Sequence, residues 1–232
     1  MKKHIKIFSV SVIALLFASC SDWLNLGPED GVTRQEFWKT KEHVHSAVIG
    51  CYASLLDGPV EKMFLWGELR ADMLANGVSP NNNYSDIFDG EISPSNSVVD
   101  WADLYTIINN CNIVLDQAPA VRKNDATFTE KQLKEYEAEV LTLRAMMYFT
   151  LVRSFRDVPL ALEGYISDDQ NFYLPATPGD QILDTLIHDL KIASANAPVT
   201  YNNVEKNKNR ITSWAAKALL ADIYLWKEKY AE

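Results

Sequence analysis

Few residues of this chain are spaced for bond-making chemistry. His43 and His45 lie two apart in a helical pattern, where such positions point to different faces, so they do not form a shared metal site. His188 has no cysteine or second histidine near it, and there is neither a phosphate-cradling glycine loop nor a nucleophile elbow. No catalytic residue, metal site or cofactor is assigned. Asp86, Asp89 and Glu91 imitate the acids of a glycosidase, a reaction that needs two carboxyls at a set separation across a sugar. A solvated acidic loop is the simpler reading.

Sugar binding asks for less: an aromatic ring for the apolar face of the pyranose, with amides and carboxylates for its hydroxyls. The run Asn81-Asn82-Asn83-Tyr84-Ser85-Asp86 offers these groups together, so Asn81, Asn83, Tyr84 and Asp86 are candidate ligand contacts. A flexible polar connector is the competing reading of that run. Arg70 and Asp72 are further candidates, with a structural ion pair as their alternative. Trp101 lies on an apolar stripe with Leu104 and Ile108 and is assigned to the core.

Cys20 carries a different chemistry. Lys2, Lys3, His4 and Lys6 precede an apolar run from Ile7 to Ala18 broken by Ser9 and Ser11. The run falls short of the roughly 20 apolar residues that cross a bilayer core, and its order is that of a secretory signal. Leu16-Phe17-Ala18-Ser19-Cys20 looks like a lipobox: small Ala18 and Ser19 fit a peptidase groove, and the Cys20 thiol takes up a diacylglyceryl group. A signal peptide over 1–19 and a lipid-anchored tether over 20–32 follow as expectations. Ser21, in place of Asp, leaves out the inner-membrane retention signal of many Gram-negative lipoproteins.

Cleavage takes away Lys2, Lys3 and Lys6 from 22 Lys and Arg and none of the 31 Asp and Glu, so the mature chain carries a net charge near −12. Such a surface disfavours nucleic acid and anionic lipid. Cys51 and Cys111 both fall in helical patterns and are read as unpaired buried thiols, although sequence leaves their pairing open.

The elements that must hold any site are helices. Thr33 and Glu36 form a capping box before a short turn at Arg34–Trp38. Lys41 to Leu56 carries Val44, Val48, Cys51, Tyr52 and Leu55 on one face. A second stripe runs from Trp101 through Cys111, Asn112 and Leu115 and ends near Pro119. Thr129 and Gln132 cap a long helix that stops before Pro159, and Thr177-Pro178-Gly179-Asp180 reads as a cap, an N1 proline and an acid reaching back. The last helix begins near Ile211. No strand ladder is legible, so the expected class is mainly α. Two polar segments, Gly77 to Asp100 and Glu163 to Ala176, are long enough for function or mobility.

Taken in order, these segments resemble the SusD/RagB family of nutrient-uptake lipoproteins. The match is carried by Leu24-Asn25-Leu26-Gly27-Pro28, by Glu36-Phe37-Trp38-Lys39-Thr40 and Gly50-Cys51-Tyr52, and by Trp101…Tyr105…Ile108…Asn112. Leu143-Arg144-Ala145, Asp157-Val158-Pro159-Leu160 and Arg210-Ile211-Thr212 continue it. Arg156 stands where the family usually has Gly, and Asn209 where Gly commonly precedes Arg210, which Asn's tolerance of the left-handed region makes cheap. The resemblance implies a SusD-like fold of tetratricopeptide-like helix pairs over 33–232, truncated at the C-terminus because family members are considerably longer. Stopping there leaves Leu219, Tyr224 or Trp226 partly uncovered. It also implies an outer-membrane, lipid-anchored, surface-exposed protein that captures an oligo- or polysaccharide without catalysis and passes it to a TonB-dependent SusC-like transporter. A scaffold for the transporter with no sugar site of its own is the alternative.

Overall fold

The computed structural model describes residues 34–71, 77 and 82–231. Cys20, the signal and tether segments, Thr33, Asp72, Asn81 and the side chain of Arg70 lie outside that description. The chain divides into two compact units, 1–37 and 38–232. Of the first, the described part is the turn α1 (Arg34–Phe37).

The second unit is mainly α. Its helices are α2 (Lys41–Ala53), α3 (Pro59–Glu68), α4 (Asn82–Phe88), α5 (Ala102–Asn124), α6 (Glu130–Phe155), α7 (Gly179–Asn196), α8 (Val204–Asn209) and α9 (Ser213–Trp226). The centre of the bundle is α6, which packs on α5 and α7, while α9 lies on α7 and α2 on α5. Its opening follows from sequence: Thr129 Oγ1 accepts from Gln132 N–H and the Gln132 side chain accepts from Thr129 N–H. From Ala138 to Ala145 the helix is buried on every side, beyond the single apolar stripe its periodicity suggests.

Burying that circumference obliges the polar residues of α6 to find partners. Arg144 Nη1 donates to Asn112 Oδ1 at 2.7 Å and Nη2 to Asp189 Oδ2 at 2.6 Å, which ties α5, α6 and α7 together. Glu139, fully buried, accepts both arms of Arg210 and the Tyr52 hydroxyl at 2.6 Å. The Tyr52 oxygen then accepts from Ile211 N–H at 2.9 Å, so α2, α6 and the entry to α9 share one network. Burial, with Glu139 beside it, pushes the Tyr52 hydroxyl far above its ordinary range.

Four expectations are corrected. Helix α5 runs past Pro119 to Asn124: burial of Ala118 and Val121 outweighs the proline penalty of about 3 kcal/mol. Thr177 does not cap α7; Pro178 precedes it, and the first N–H, of Gly179, donates to Asp157 Oδ1 at 2.9 Å. Asn209 ends α8 as an ordinary helical residue, and the left-handed asparagine is Asn202, at φ 53°. A minimal antiparallel pair, β1 (Val158–Pro159) with β2 (Ala176–Thr177), closes the segment between α6 and α7. Cys51 and Cys111 are buried free thiols in contact across α2 and α5, and burial holds the Cys111 thiol protonated. Trp226 is 51% exposed and Leu225 60%, while Leu219 and Tyr224 are half-buried. No helix among the described residues is long and apolar enough to cross a membrane.

Candidate functional site

A groove of about 290 Å³ runs between α5 and the segment that joins α6 to α7. Its α5 wall is Trp101, Tyr105, Ile108, Asn109 and Asn112, a row set by the three- and four-residue spacing of one helix face. Its other wall is Pro159, Ala161, Tyr165, Phe172 and Leu174.

The segment owes its shape to polar side chains of α5. Asn109 Nδ2 donates to the Tyr165 carbonyl at 3.1 Å and its Oδ1 accepts Tyr165 N–H at 2.7 Å. Asn112 Nδ2 donates to the carbonyls of Ala161 and Glu163, and Asp116 Oδ2 accepts Gly164 N–H at 2.7 Å. Residue 164 must be glycine here: a Cβ would stand 2.8 Å from Ile113 Cγ1 and 3.0 Å from Ile113 Cα. From below, the Tyr148 hydroxyl donates to the Ala161 carbonyl and accepts Ala161 N–H, and burial pushes its pKa up to about 12. At the tip, Gln170 Oε1 accepts from Ile166 and Ser167 N–H while Nε2 donates to the Gly164 carbonyl.

This clasp fixes a set of aromatic rings. Tyr165 and Phe172 are stacked, with centroids 5.1 Å apart and planes at 28°. Phe172 is 54% exposed and its neighbour Tyr173 92%. Inside the groove Trp101 meets Phe155 and Tyr105 edge-on, and Tyr105 donates its hydroxyl to the Pro159 carbonyl at 2.6 Å. Burial holds that hydroxyl protonated. Trp101 is thus both core-packed, as its stripe implies, and part of the groove wall. No carboxylate, imidazole, amine or thiol is among the lining residues, and the groove offers aromatic surface, two amides and two phenols for binding.

The candidates read from sequence fall elsewhere. The run at 82–88 is the helix α4 rather than a connector, anchored by buried Ile87. Asn83 Nδ2 donates to Ser97 Oγ at 2.9 Å, and the Asn83 carbonyl accepts from Asn96 Nδ2. The Tyr84 hydroxyl donates to Glu61 Oε1 at 2.8 Å, and that carboxylate raises its pKa. Asp86 is half-buried, while Asp89 and Glu91 are exposed in the turn after α4. The described part of this set does not line the groove. Sequence reasoning missed Tyr105, Asn109, Tyr165, Phe172 and Tyr173. The available signal was a long segment, Glu163 to Ala176, with aromatics that follow no helical or strand period.

Comparison with known proteins agrees with the fold. Residues 22–225 match the SusD-like family model described as starch-binding, associating with outer membrane. A SusD-like protein of Formosa agariphila is 26% identical over 218 residues, covering 93% of this chain and 42% of that relative. A solved SusD superfamily protein from Bacteroides thetaiotaomicron superposes with a TM-score of 0.72 at 27% identity, over 84% of this chain and 45% of the other. A laminarin-binding SusD-like protein shares the fold, with a TM-score of 0.70 at 24% identity over 82% of this chain and 41% of the other. The chain therefore spans about two fifths of the length of the curated relatives it matches. A helical bundle with this segment order, matched by one family model from Ser21's neighbour Asp22 to Leu225, belongs to the SusD-like family.

Proposed function

We propose that this chain is the glycan-binding, lipid-anchored part of a nutrient-uptake system at the outer-membrane surface. It holds an oligo- or polysaccharide without cleaving it and passes it to a TonB-dependent SusC-like transporter. Residues 1–19 direct export and Cys20 carries the lipid, with 20–32 as tether before a helical domain over 33–232. The observation that carries the binding reading is the stacked Tyr165–Phe172 pair with exposed Tyr173 beside it, at a groove lined by aromatic rings and amides. A pyranose lays its apolar face on such rings while its hydroxyls stay in water. The family description and the laminarin-binding neighbour support the same ligand class. Arg70, Asp72, Asn81, Asn83, Tyr84 and Asp86 stand as further proposed glycan contacts.

Native affinity electrophoresis through gels containing laminarin or soluble starch tests this. The chain should be retarded by at least one polymer, and the exposed double variant F172A/Y173A should lose about tenfold in affinity, at roughly 0.5–1.5 kcal/mol per ring. Failure of a broad polymer panel to retard the chain would leave the scaffold reading in its place.

A further inference from the structure

We propose that the groove selects uncharged glycans and repels polymers bearing carboxylate or sulfate groups, an inference that rests on the groove being a glycan site. From Asp157 to Leu190 the chain holds Asp157, Glu163, Asp168, Asp169, Asp180, Asp184 and Asp189, with no lysine or arginine among them. Four are engaged elsewhere. Asp157 accepts the first N–H of α7, Asp180 and Asp184 face Lys227 at 3.7 and 2.8 Å, and Asp189 pairs with Arg144. Glu163, Asp168 and Asp169 are exposed and take part in none of the ion pairs of the described residues.

These three flank the aromatic shelf. Glu163 stands two residues before Tyr165, and Asp168 and Asp169 occupy the tip between Tyr165 and Phe172. Gln170 closes that tip with three hydrogen bonds, so both aspartates sit on a fixed turn between the two stacked residues. The Asp169 carboxylate accepts from Ser167 Oγ at 3.3 Å and the Asp169 N–H donates to the same hydroxyl, so no cation faces it. The groove walls carry no cation to offset them. A neutral ring stacks on the shelf without electrostatic cost, whereas an anionic one meets three carboxylates of its own sign. In water each repulsion is small, so selectivity of about tenfold is expected at low salt and little at high salt.

The test uses one backbone in three forms, so that sugar identity stays constant. Laminarin, carboxymethyl laminarin and the uncharged hydroxyethyl derivative, which controls for bulk, are compared by affinity electrophoresis of the whole chain; the starch series is run alongside. The neutral forms should bind roughly tenfold more tightly than the carboxymethyl form. That gap should close when salt shortens the Debye length to about 3 Å, and in the E163Q/D168N/D169N variant, whose neutral binding is unchanged. Equal binding of neutral and charged forms, with F172A/Y173A still losing affinity, overturns the selectivity and keeps the site. No binding of any form overturns the glycan reading and the selectivity with it. A gap that persists in the triple variant also overturns the inference, because the carboxylates are then not its cause.

Discussion

Arg156 carries the chain out of α6 at φ 69° and ψ −80°, with Asp157 N–H donating to the Phe155 carbonyl at 3.0 Å. That is the strained hand of the γ-turn, in which a side chain is disfavoured and glycine is at ease. Arg156→Gly is therefore expected to stabilise the fold by about 1 kcal/mol, read as a higher urea midpoint at constant slope. The partner surface makes the opposite demand: a Cβ on Gly179 would stand 2.7 Å from the Arg156 carbonyl oxygen, a backbone atom with little room to move. Gly179→Ala should cost roughly 1–3 kcal/mol in the same assay. Tyr148 supplies a pH dependence whose sign is fixed. Its folded pKa, raised by burial to about 12 from the ordinary 10.0, favours the neutral phenol in the fold. The corresponding stability is complete below pH 10 and is lost as pH rises from 10 towards 12, at most about 2–3 kcal/mol. Other buried tyrosines titrate too, so the measurement is the difference between wild type and Tyr148→Phe. The variant should be about 1–3 kcal/mol less stable at neutral pH, because Ala161 N–H loses its acceptor, and its alkaline loss should be shallower.

At the scale of elements, α5 has two uses along one side. Leu104, Ile108 and Cys111 face the core, and Asn109, Asn112 and Asp116, at spacings of three and four, hold the backbone of 161–165. Asn112→Leu keeps the volume and removes every polar contact, leaving Arg144 Nη1 and two carbonyls short of a partner. It should cost roughly 2–4 kcal/mol and speed limited proteolysis between Tyr165 and Tyr173 before global unfolding; cleavage at the wild-type rate would show that the segment holds itself. This division also explains how far the sequence could be read. Helix α6, its Thr129–Gln132 cap and the buried faces of α2 and α7 follow from a 3.6-residue period and local capping chemistry. The local period places Asn112 only as one more position on an apolar stripe, because its partners lie 32, 49 and 51 residues on. Tyr165 and Phe172 have no period at all; what stacks them is hydrogen bonding from Asn109 and Gln170, which local spacing does not encode. Pro119 failed for the complementary reason, since a strong local breaker was overruled by core contacts on both sides.

For the whole molecule, the question is what keeps it at a membrane. The described helices include none able to span a bilayer, and a net charge of −9 over the whole sequence sets the body against anionic headgroups. Trp214, Leu225 and Trp226 are exposed on α9, but three large apolar side chains amid that charge make a weak surface anchor at about 25 cal/mol per Å² buried. The lipid proposed on Cys20, with two or more acyl chains at about 0.8 kcal/mol per buried CH₂, would anchor far more firmly. Cys20→Ala should therefore abolish incorporation of labelled palmitate and move the protein from the membrane pellet to the soluble extracytoplasmic fraction. Its retardation in laminarin or starch gels should match wild type, because the groove residues lie on α5 and between Pro159 and Leu174. Palmitate-free protein that stays in the pellet through a high-salt wash would assign attachment to a protein or lipid contact of the body, and α9 would then be the first surface to alter, by Trp226→Lys. Release together with lost glycan retention would instead mean that the N-terminal segment contributes to the binding site itself.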